Sequence, residues 1–314
     1  MGEFHCPMGA DFYDDDGCIL CEMCSATTEE EMIEASKKIR AYLRANAPRS
    51  RLVQKIAVCG KGGVGKSTIV TLMAGALADK GYTVPVLDTD ESNPGLHRLL
   101  GFDQEPRALI TLLSRFASGQ EGSTDTDIEW LGRDKIGIKD IPSEYILSRD
   151  GLKFMMVGKI ENPFQGCACS MADLTRNLME KLVLEDKEIV LIDMEAGIES
   201  FGRGVERGVD TVLMIIEPSF ESIALAEKIA YMAEGMGISR IMAILNKVPS
   251  ENARQRILQE LDNKKIRAIG TVSFDPEVNE AGFAGTPLLG NSRATDDIKM
   301  ITDVLLKDEV MAPP

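Results

Sequence analysis

Histidine is almost absent from this 314-residue chain: there are two, His5 and His97. Thiolate-rich metal sites are therefore favoured over imidazole-rich ones. No run of 18 or more apolar residues occurs, so no membrane-spanning helix is expected. The acidic N-terminus has no apolar core of the secretory type, and a cytoplasmic location is expected. Positive charge is scarce, with 35 Lys and Arg against 50 Asp and Glu and a formal net charge of −15. Such a surface repels nucleic acid, and no nucleic-acid partner is expected. The tail at 307–314 lacks the basic amphipathic face of a membrane-targeting helix, so no stable membrane insertion is expected either. Seven cysteines, an odd number, argue against a disulfide framework. They stand at 6, 18, 21, 24, 59, 167 and 169, and their tight spacings point to metal or redox chemistry. A hydrophobic content of 44% and this length suit one large α/β domain with an appendage.

The most informative stretch is Gly60-Lys61-Gly62-Gly63-Val64-Gly65-Lys66-Ser67-Thr68. An apolar run at 55–59 precedes it and a helical pattern at 67–80 follows, the strand–loop–helix setting of a phosphate-binding loop. Glycines let backbone N–H groups approach phosphate oxygens, and the helix N-terminus adds a field that favours anions. Lys66 is expected at the β- and γ-phosphates and the Ser67 hydroxyl on Mg²⁺. A buried strand at 83–87, with Pro85 awkwardly inside it, delivers Asp88-Thr89-Asp90 to the carboxyl edge of the sheet. Either aspartate can hold the Mg²⁺ water shell or orient an attacking water. A second strand at 188–193 ends in Asp193, and Gly197 follows where a backbone N–H can meet the γ-phosphate and move when it leaves. Further strands are expected at 135–140, 152–157, 211–217 and 240–245, with helices at 109–116, 222–235 and 294–306. Asn246-Lys247 then presents an asparagine that can pair with a purine edge. Pro249 occupies the place where a guanine-specific site needs an acid, so ATP is favoured over GTP. The fold expected is α/β, a three-layer P-loop NTPase with a mostly parallel central sheet, plus a small cysteine-rich, metal-binding N-terminal extension. Its two parts are residues 1–50 and 51–314.

In the extension, Cys18, Cys21 and Cys24 follow C-x2-C-x2-C, and Cys6 is a natural fourth ligand. Four thiolates suit a [4Fe–4S] cluster or Zn²⁺, and a metal would supply folding energy that so small a segment lacks. A helix is expected over 28–43, with Thr28 and Glu31 in the spacing of a capping box, then a linker at 46–51. Cys167-x-Cys169 is a second motif. Ser170 with Asp173 reads as a helix start, placing the cysteines at a loop–helix junction that favours thiolates. One C-x-C offers two ligands where tetrahedral Zn²⁺ or planar Ni²⁺ takes four, and a two-fold homodimer supplies the other pair.

The loop Gly-Lys-Gly-Gly-Val-Gly-Lys-Ser resembles that of the deviant phosphate-loop ATPases, which include nitrogenase iron protein, the Min and Par positioning ATPases and metallocluster maturation factors. That resemblance implies that Lys61 reaches across a dimer interface to the partner's nucleotide and selects Asp90 as the water-orienting acid. It also places the base pocket near 274–277, with Pro276 among its residues. Asp193-Met194-Glu195-Ala196-Gly197, taken with Cys167-x-Cys169, looks like the carbon monoxide dehydrogenase accessory ATPases. The implied activity is Mg²⁺-dependent ATP hydrolysis coupled to nickel insertion, with Ni²⁺ or Zn²⁺ at the C-x-C of two chains and a Ni–Fe–S or related metalloenzyme as client. An ATP-driven Fe–S carrier or electron-delivering reductase is the alternative. A Par- or Min-type positioning ATPase would leave both cysteine motifs unexplained.

Overall fold

The computed structural model describes residues 53–92, 94–112, 130–159, 168–198, 201, 208–288 and 290–307, with isolated positions at 13, 14, 17, 18, 28, 30, 31, 34 and 38. Its central sheet has eight strands: β1 (Lys55–Gly60), β2 (Val84–Asp88), β3 (Leu147–Arg149), β4 (Leu152–Met156), β5 (Val190–Asp193), β6 (Thr211–Ile216), β7 (Arg240–Leu245) and β8 (Arg267–Thr271). They lie in the order β8-β7-β6-β1-β5-β2-β4-β3. Every neighbouring pair is parallel except β3 with β4. The helices are α1 (Lys66–Asp79), α2 (Leu96–Leu99), α3 (Ala168–Lys181), α4 (Phe220–Gly235), α5 (Glu251–Asn263), α6 (Pro276–Ala284) and α7 (Arg293–Lys307).

Both faces of the sheet are covered, which is why its central strands are apolar throughout rather than alternating. Successive residues still go to opposite sides. Ile56 and Val58 join the apolar layer under α1 and α7, whereas Ala57 and Cys59 join the layer under α3, α4 and α5. Leu213 and Ile215 of β6 repeat the first choice, and Val212, Met214 and Ile216 the second. Three layers result, helix–sheet–helix, as the sequence led us to expect.

Pro85 does sit inside β2 and is buried. It is tolerated because the ladder on the β5 side is interrupted there, with a Thr83–Glu188 bridge before it and pairing resumed at Val86, while the Val84 N–H on the other side is satisfied by the Gly151 carbonyl. The edge strand β3 was missed in the sequence. Its signal was there: Asp150 and Gly151 both have positive φ, 49° and 81°, as a two-residue hairpin turn requires. The expected strand over 135–140 is shorter. Only Ile136–Gly137 is extended, paired with Leu182–Val183, and a 3₁₀ turn at Ile138–Asp140 follows. Of the helix expected over 109–116, the described part ends at residue 112.

In the extension, Tyr13–Asp14 and Gly17–Cys18 pair antiparallel. Thr28 and Glu31 form the expected reciprocal cap: the Thr28 N–H donates to Glu31 Oε2 at 3.1 Å and the Glu31 N–H to Thr28 Oγ1 at 3.2 Å. Cys6, Cys21 and Cys24 lie outside the described residues, and Cys18 is described in its backbone alone. Helix α3 already includes Ala168, so Cys169 and Ser170 belong to the helix and Ser170 is not its cap. The cysteine pair thus runs into the helix rather than stopping short of it. Among the described residues no helix is long and apolar enough to cross a membrane.

Candidate nucleotide site

The phosphate loop is built where β1 leaves the sheet. Gly60 passes so close to β6 that a Cβ there would sit 2.6 Å from the Ile215 carbonyl oxygen. Gly65, at φ 96°, is the N-cap of α1, and its carbonyl accepts the Ile69 N–H at 3.0 Å. The following N–H groups open toward the loop, the arrangement that binds phosphate. Two residues from the end of β7 brace the loop from outside. Asn246 Nδ2 donates to the Val64 carbonyl at 2.8 Å, and Lys247 Nζ donates to the Gly63 carbonyl at 2.6 Å. Lys66 is 7% exposed, its charge held in a site shielded from water.

Parallel register sets the acidic edge. Asp88 at the end of β2 is the direct neighbour of Asp193 at the end of β5, which in turn lies beside Val58 of β1. Ser67 Oγ donates to Asp193 Oδ2 at 2.6 Å. Burial first, then the neighbouring Asp88, pushes the Asp193 carboxyl up to about 7, against the Ser67 hydrogen bond and Lys66, which pull it down. Burial likewise raises Asp88 to about 6, although Lys159 Nζ lies 2.7 Å from its Oδ2 and opposes the shift. Asp193 Oδ1 is buried without a hydrogen-bond partner. An orphaned carboxylate oxygen beside the loop serine fits Mg²⁺ and its water shell, which would satisfy that oxygen and offset the crowding of two carboxylates.

Asp90 is buried and lines the cleft. Its N–H donates to Asp88 Oδ1 at 3.0 Å, and its own Oδ1 accepts from the Ser92 N–H at 2.9 Å and the Ser92 hydroxyl at 2.7 Å. Beyond Asp193, Gly197 (φ 100°) donates its N–H to the Gly60 carbonyl at 3.4 Å, and Ala196 faces Gly62. The segment after the second acid therefore rests on the phosphate loop.

These groups share a cleft of about 760 Å³ that runs from the loop, over Thr68, to Asn246 and the 272–283 region. Its outer wall is Phe274, Asp275, Val278, Asn279 and Phe283. Pro276 is the first residue of α6, behind this wall, with Asp275 capping the helix. Burial raises the Asp275 pKa, but hydrogen bonds from the Ala294, Val278 and Glu277 N–H groups outweigh it and leave the carboxyl below its ordinary value. Phe274 and Phe283 are 63% and 88% exposed at the rim. His97 is buried against Phe154, and its Nδ1 lies 3.2 Å from Glu105 without hydrogen-bond alignment. Burial lowers its pKa and favours the neutral ring.

Lys61 Nζ lies 3.3 Å from Glu217 Oε1. Among the described residues no group of three or more acids, cysteines or histidines gathers as a metal site. Cys167 lies outside the described residues, and nothing is described of the Cys169 side chain. Sequence reasoning missed Lys159, Lys247 and Glu217. Each stands at or just past the carboxyl end of a sheet strand, which was the available signal, since ligands bind at that edge.

Comparison with known proteins agrees with this geometry. A family profile described as "ParA: NUBPL iron-transfer P-loop NTPase" matches residues 51–119. An ATP-binding protein of Methanocaldococcus jannaschii is 40% identical over 256 residues, 81% of this chain and 100% of its own length. The carbon monoxide dehydrogenase accessory protein CooC of Rhodospirillum rubrum is 36% identical over 249 residues, 77% of this chain and 92% of its own. Among solved structures, the cell division ATPase MinD of Pyrococcus furiosus superposes with a TM-score of 0.59 at 18% identity, over 82% of this chain and 99% of that one. A ParA family ATPase from Chlorobium tepidum gives 0.57 at 17% identity, over 81% and 98%. A braced phosphate loop, a serine hydrogen-bonded to a strand-end aspartate and two relatives above 30% identity lead to one conclusion: the chain belongs to the ParA/MinD/CooC family of deviant P-loop ATPases and is an ATP-hydrolysing enzyme that binds ATP and Mg²⁺.

Proposed function

We propose that this ATPase works as a homodimeric metallochaperone, carrying a metal ion, nickel, on Cys167 and Cys169 of two protomers and assisting its insertion into a carbon monoxide dehydrogenase-like Ni–Fe–S enzyme. The observation that carries the reading is where the C-x-C falls. Cys169 lies in the first turn of α3, which packs on the sheet, and the chain leading to it leaves the acidic edge at Lys159. A change in the phosphates is thus connected along the chain to the thiolates. The likeness to the R. rubrum accessory protein supports the client class.

In this reading Lys66 and the loop N–H groups hold the β- and γ-phosphates. Ser67, with Asp193 behind it, holds Mg²⁺, which when bound draws charge from the phosphate oxygens. Asp90 orients the attacking water. Loss of the γ-phosphate frees Gly197, whose loop already touches Gly60. Residues 1–50 form a separate cysteine-rich unit, with Cys6, Cys18, Cys21 and Cys24 holding a [4Fe–4S] cluster or Zn²⁺, and residues 51–314 form the ATPase unit.

Anaerobic metal and sulfide analysis of the parent and of Cys167→Ala/Cys169→Ala, before and after nickel addition, tests the cargo. One nickel per dimer, lost in the double variant while N-terminal iron persists, is the expected result. A sulfide-containing chromophore that vanishes with the C-x-C pair would instead establish an Fe–S carrier or reductase. The iron-transfer description of the family that matches residues 51–119 favours that second reading.

Dimerisation has its own test. Lys61 must leave Glu217 to reach a partner's nucleotide, and so partly exposed an ion pair is worth about 1 kcal/mol or less. Glu217→Gln is therefore expected to tighten the ATP-dependent dimer by roughly two- to fivefold, measured by light scattering. Lys61→Ala is expected to abolish that dimer and reduce hydrolysis, and unchanged values for both would rule out a role in trans.

A further inference from the structure

We propose that Lys159 is a positioning residue for ATP hydrolysis: its ammonium clamps the backbone of Asp90 and so sets the aim of the carboxylate that faces the attacking water. The inference rests on the water-orienting role given to Asp90 above.

Lys159 stands three residues beyond β4, just after Gly158, on a strand whose register is fixed by the Val157 N–H donating to the Asp88 carbonyl at 2.9 Å. That register carries Lys159 over the carboxyl edge of the sheet. Its side chain is only 11% exposed. Nζ donates to Asp88 Oδ2 at 2.7 Å and also to the Asp90 carbonyl oxygen. The other Asp88 oxygen, Oδ1, accepts the Asp90 N–H at 3.0 Å. The two polar backbone groups of Asp90 are therefore both held, one by Asp88 directly and the other by the lysine that Asp88 anchors.

A lysine present only to neutralise Asp88 would need only the ion pair. The second donation, to Asp90, goes beyond charge balance. An ammonium suits the task because its three donors can serve oxygens in different directions, whereas a guanidinium presents a planar fork. Burying a lysine is costly unless its hydrogen bonds are satisfied, and here the partners are a carboxylate and a carbonyl of the same turn. Asp90 Oδ1 in turn gathers the Ser92 N–H and hydroxyl, so tilting the residue would break several contacts at once. Without the clamp the turn would relax, and misplacement of a catalytic group by about 1 Å costs on the order of 100-fold in rate.

The experiment is steady-state ATPase kinetics with fluorescent-nucleotide binding on the full chain, for Lys159→Met, Lys159→Arg, Asp90→Asn and Asp90→Asn/Lys159→Met. Lys159→Met is expected to lower kcat by about 10- to 100-fold, with KM and the nucleotide Kd within about threefold of the parent. Lys159→Arg should recover part of the loss, because it restores the charge in an imperfect shape. The double variant should be no slower than Asp90→Asn, because Lys159 acts through Asp90. A kcat for Lys159→Met within twofold of the parent, a loss confined to KM and Kd, or additive losses in the double variant would each overturn the proposal. Should Lys159→Met lose its circular-dichroism signature, Lys159→Gln is read by the same criteria. If Asp90→Asn keeps parental turnover, the role given to Asp90 falls and the inference with it. If Asp90→Asn is slow and Lys159→Met is fast, only the inference falls.

Discussion

Asp193→Asn is expected to cut ATP turnover by about 10²- to 10³-fold, the usual cost of removing a preorganised electrostatic group, and at the same time to stabilise the nucleotide-free protein above neutral pH. The two effects have one source. Asp193 is fully buried beside Asp88, with one oxygen on Ser67 and the other unpaired. Burial and Asp88 raise its carboxyl from the ordinary 3.8 to about 7. The folded chain then binds that proton more tightly than the unfolded chain does. The stabilisation is fully present below the ordinary carboxylate value and is lost as pH rises through about 7. Asp88, raised to about 6, adds to the slope over a lower range. The melting temperature of the parent in chelator should fall between about pH 4 and pH 7 and level off above, and Asp193→Asn should remove much of that fall. Scanning calorimetry over that range is the check. A variant whose curve runs parallel to the parent's would mean that this carboxyl does not titrate there. The amide can still accept from Ser67, so the lost rate would reflect lost charge at the Mg²⁺ side rather than a collapsed site.

Gly65→Ala should abolish nucleotide binding, with a loss of roughly 100-fold or more in affinity by titration calorimetry. Gly65 has φ 96°, and its Cβ would sit 2.6 Å from Asn246 Nδ2. A left-handed conformation alone costs a residue with a Cβ about 1–2 kcal/mol. The collision adds to this at the amide that holds the Val64 carbonyl. The loop therefore cannot keep its shape by moving Asn246 away without losing the brace that shapes it. Gly63→Ala is the useful contrast. It also has positive φ, at 78°, but a Cβ there meets nothing within 4 Å, so its cost should be strain alone and its loss of affinity smaller.

Much of this was readable before the fold was known, and the reasons are local. The phosphate loop is contiguous in sequence, so its glycines, Lys66 and Ser67 declare themselves together. Asp88, Asp90 and Asp193 follow apolar strands, and a strand followed by an acid places that acid on the carboxyl edge without knowledge of neighbours. What could not be read was which distant residue touches which. Asn246 read as a base-pairing group, and that its amide nitrogen also braces Val64 was not visible in the sequence. Lys159 and Lys247 carried no motif, because each acts through a backbone carbonyl across the sheet edge. Glu217 gained meaning only once β6 had placed it beside Lys61. The hairpin strand β3 was hidden by its short length, and Pro85 looked like a strand breaker because the gap left for it in the pairing beside β5 is a tertiary fact.

The opposite edge of the sheet has a consequence of its own. There Asp210 Oδ2 accepts the N–H groups of Gln54 and Lys55, and Lys55 Nζ donates to the Met179 carbonyl, which seals the entry of β1. This seal lies a full strand length, roughly 20 Å, from the phosphate loop. In modular terms the seal works as a socket. A sequence change upstream of Gln54 therefore meets a finished edge, and its effect on the phosphate loop would have to pass along the whole of β1.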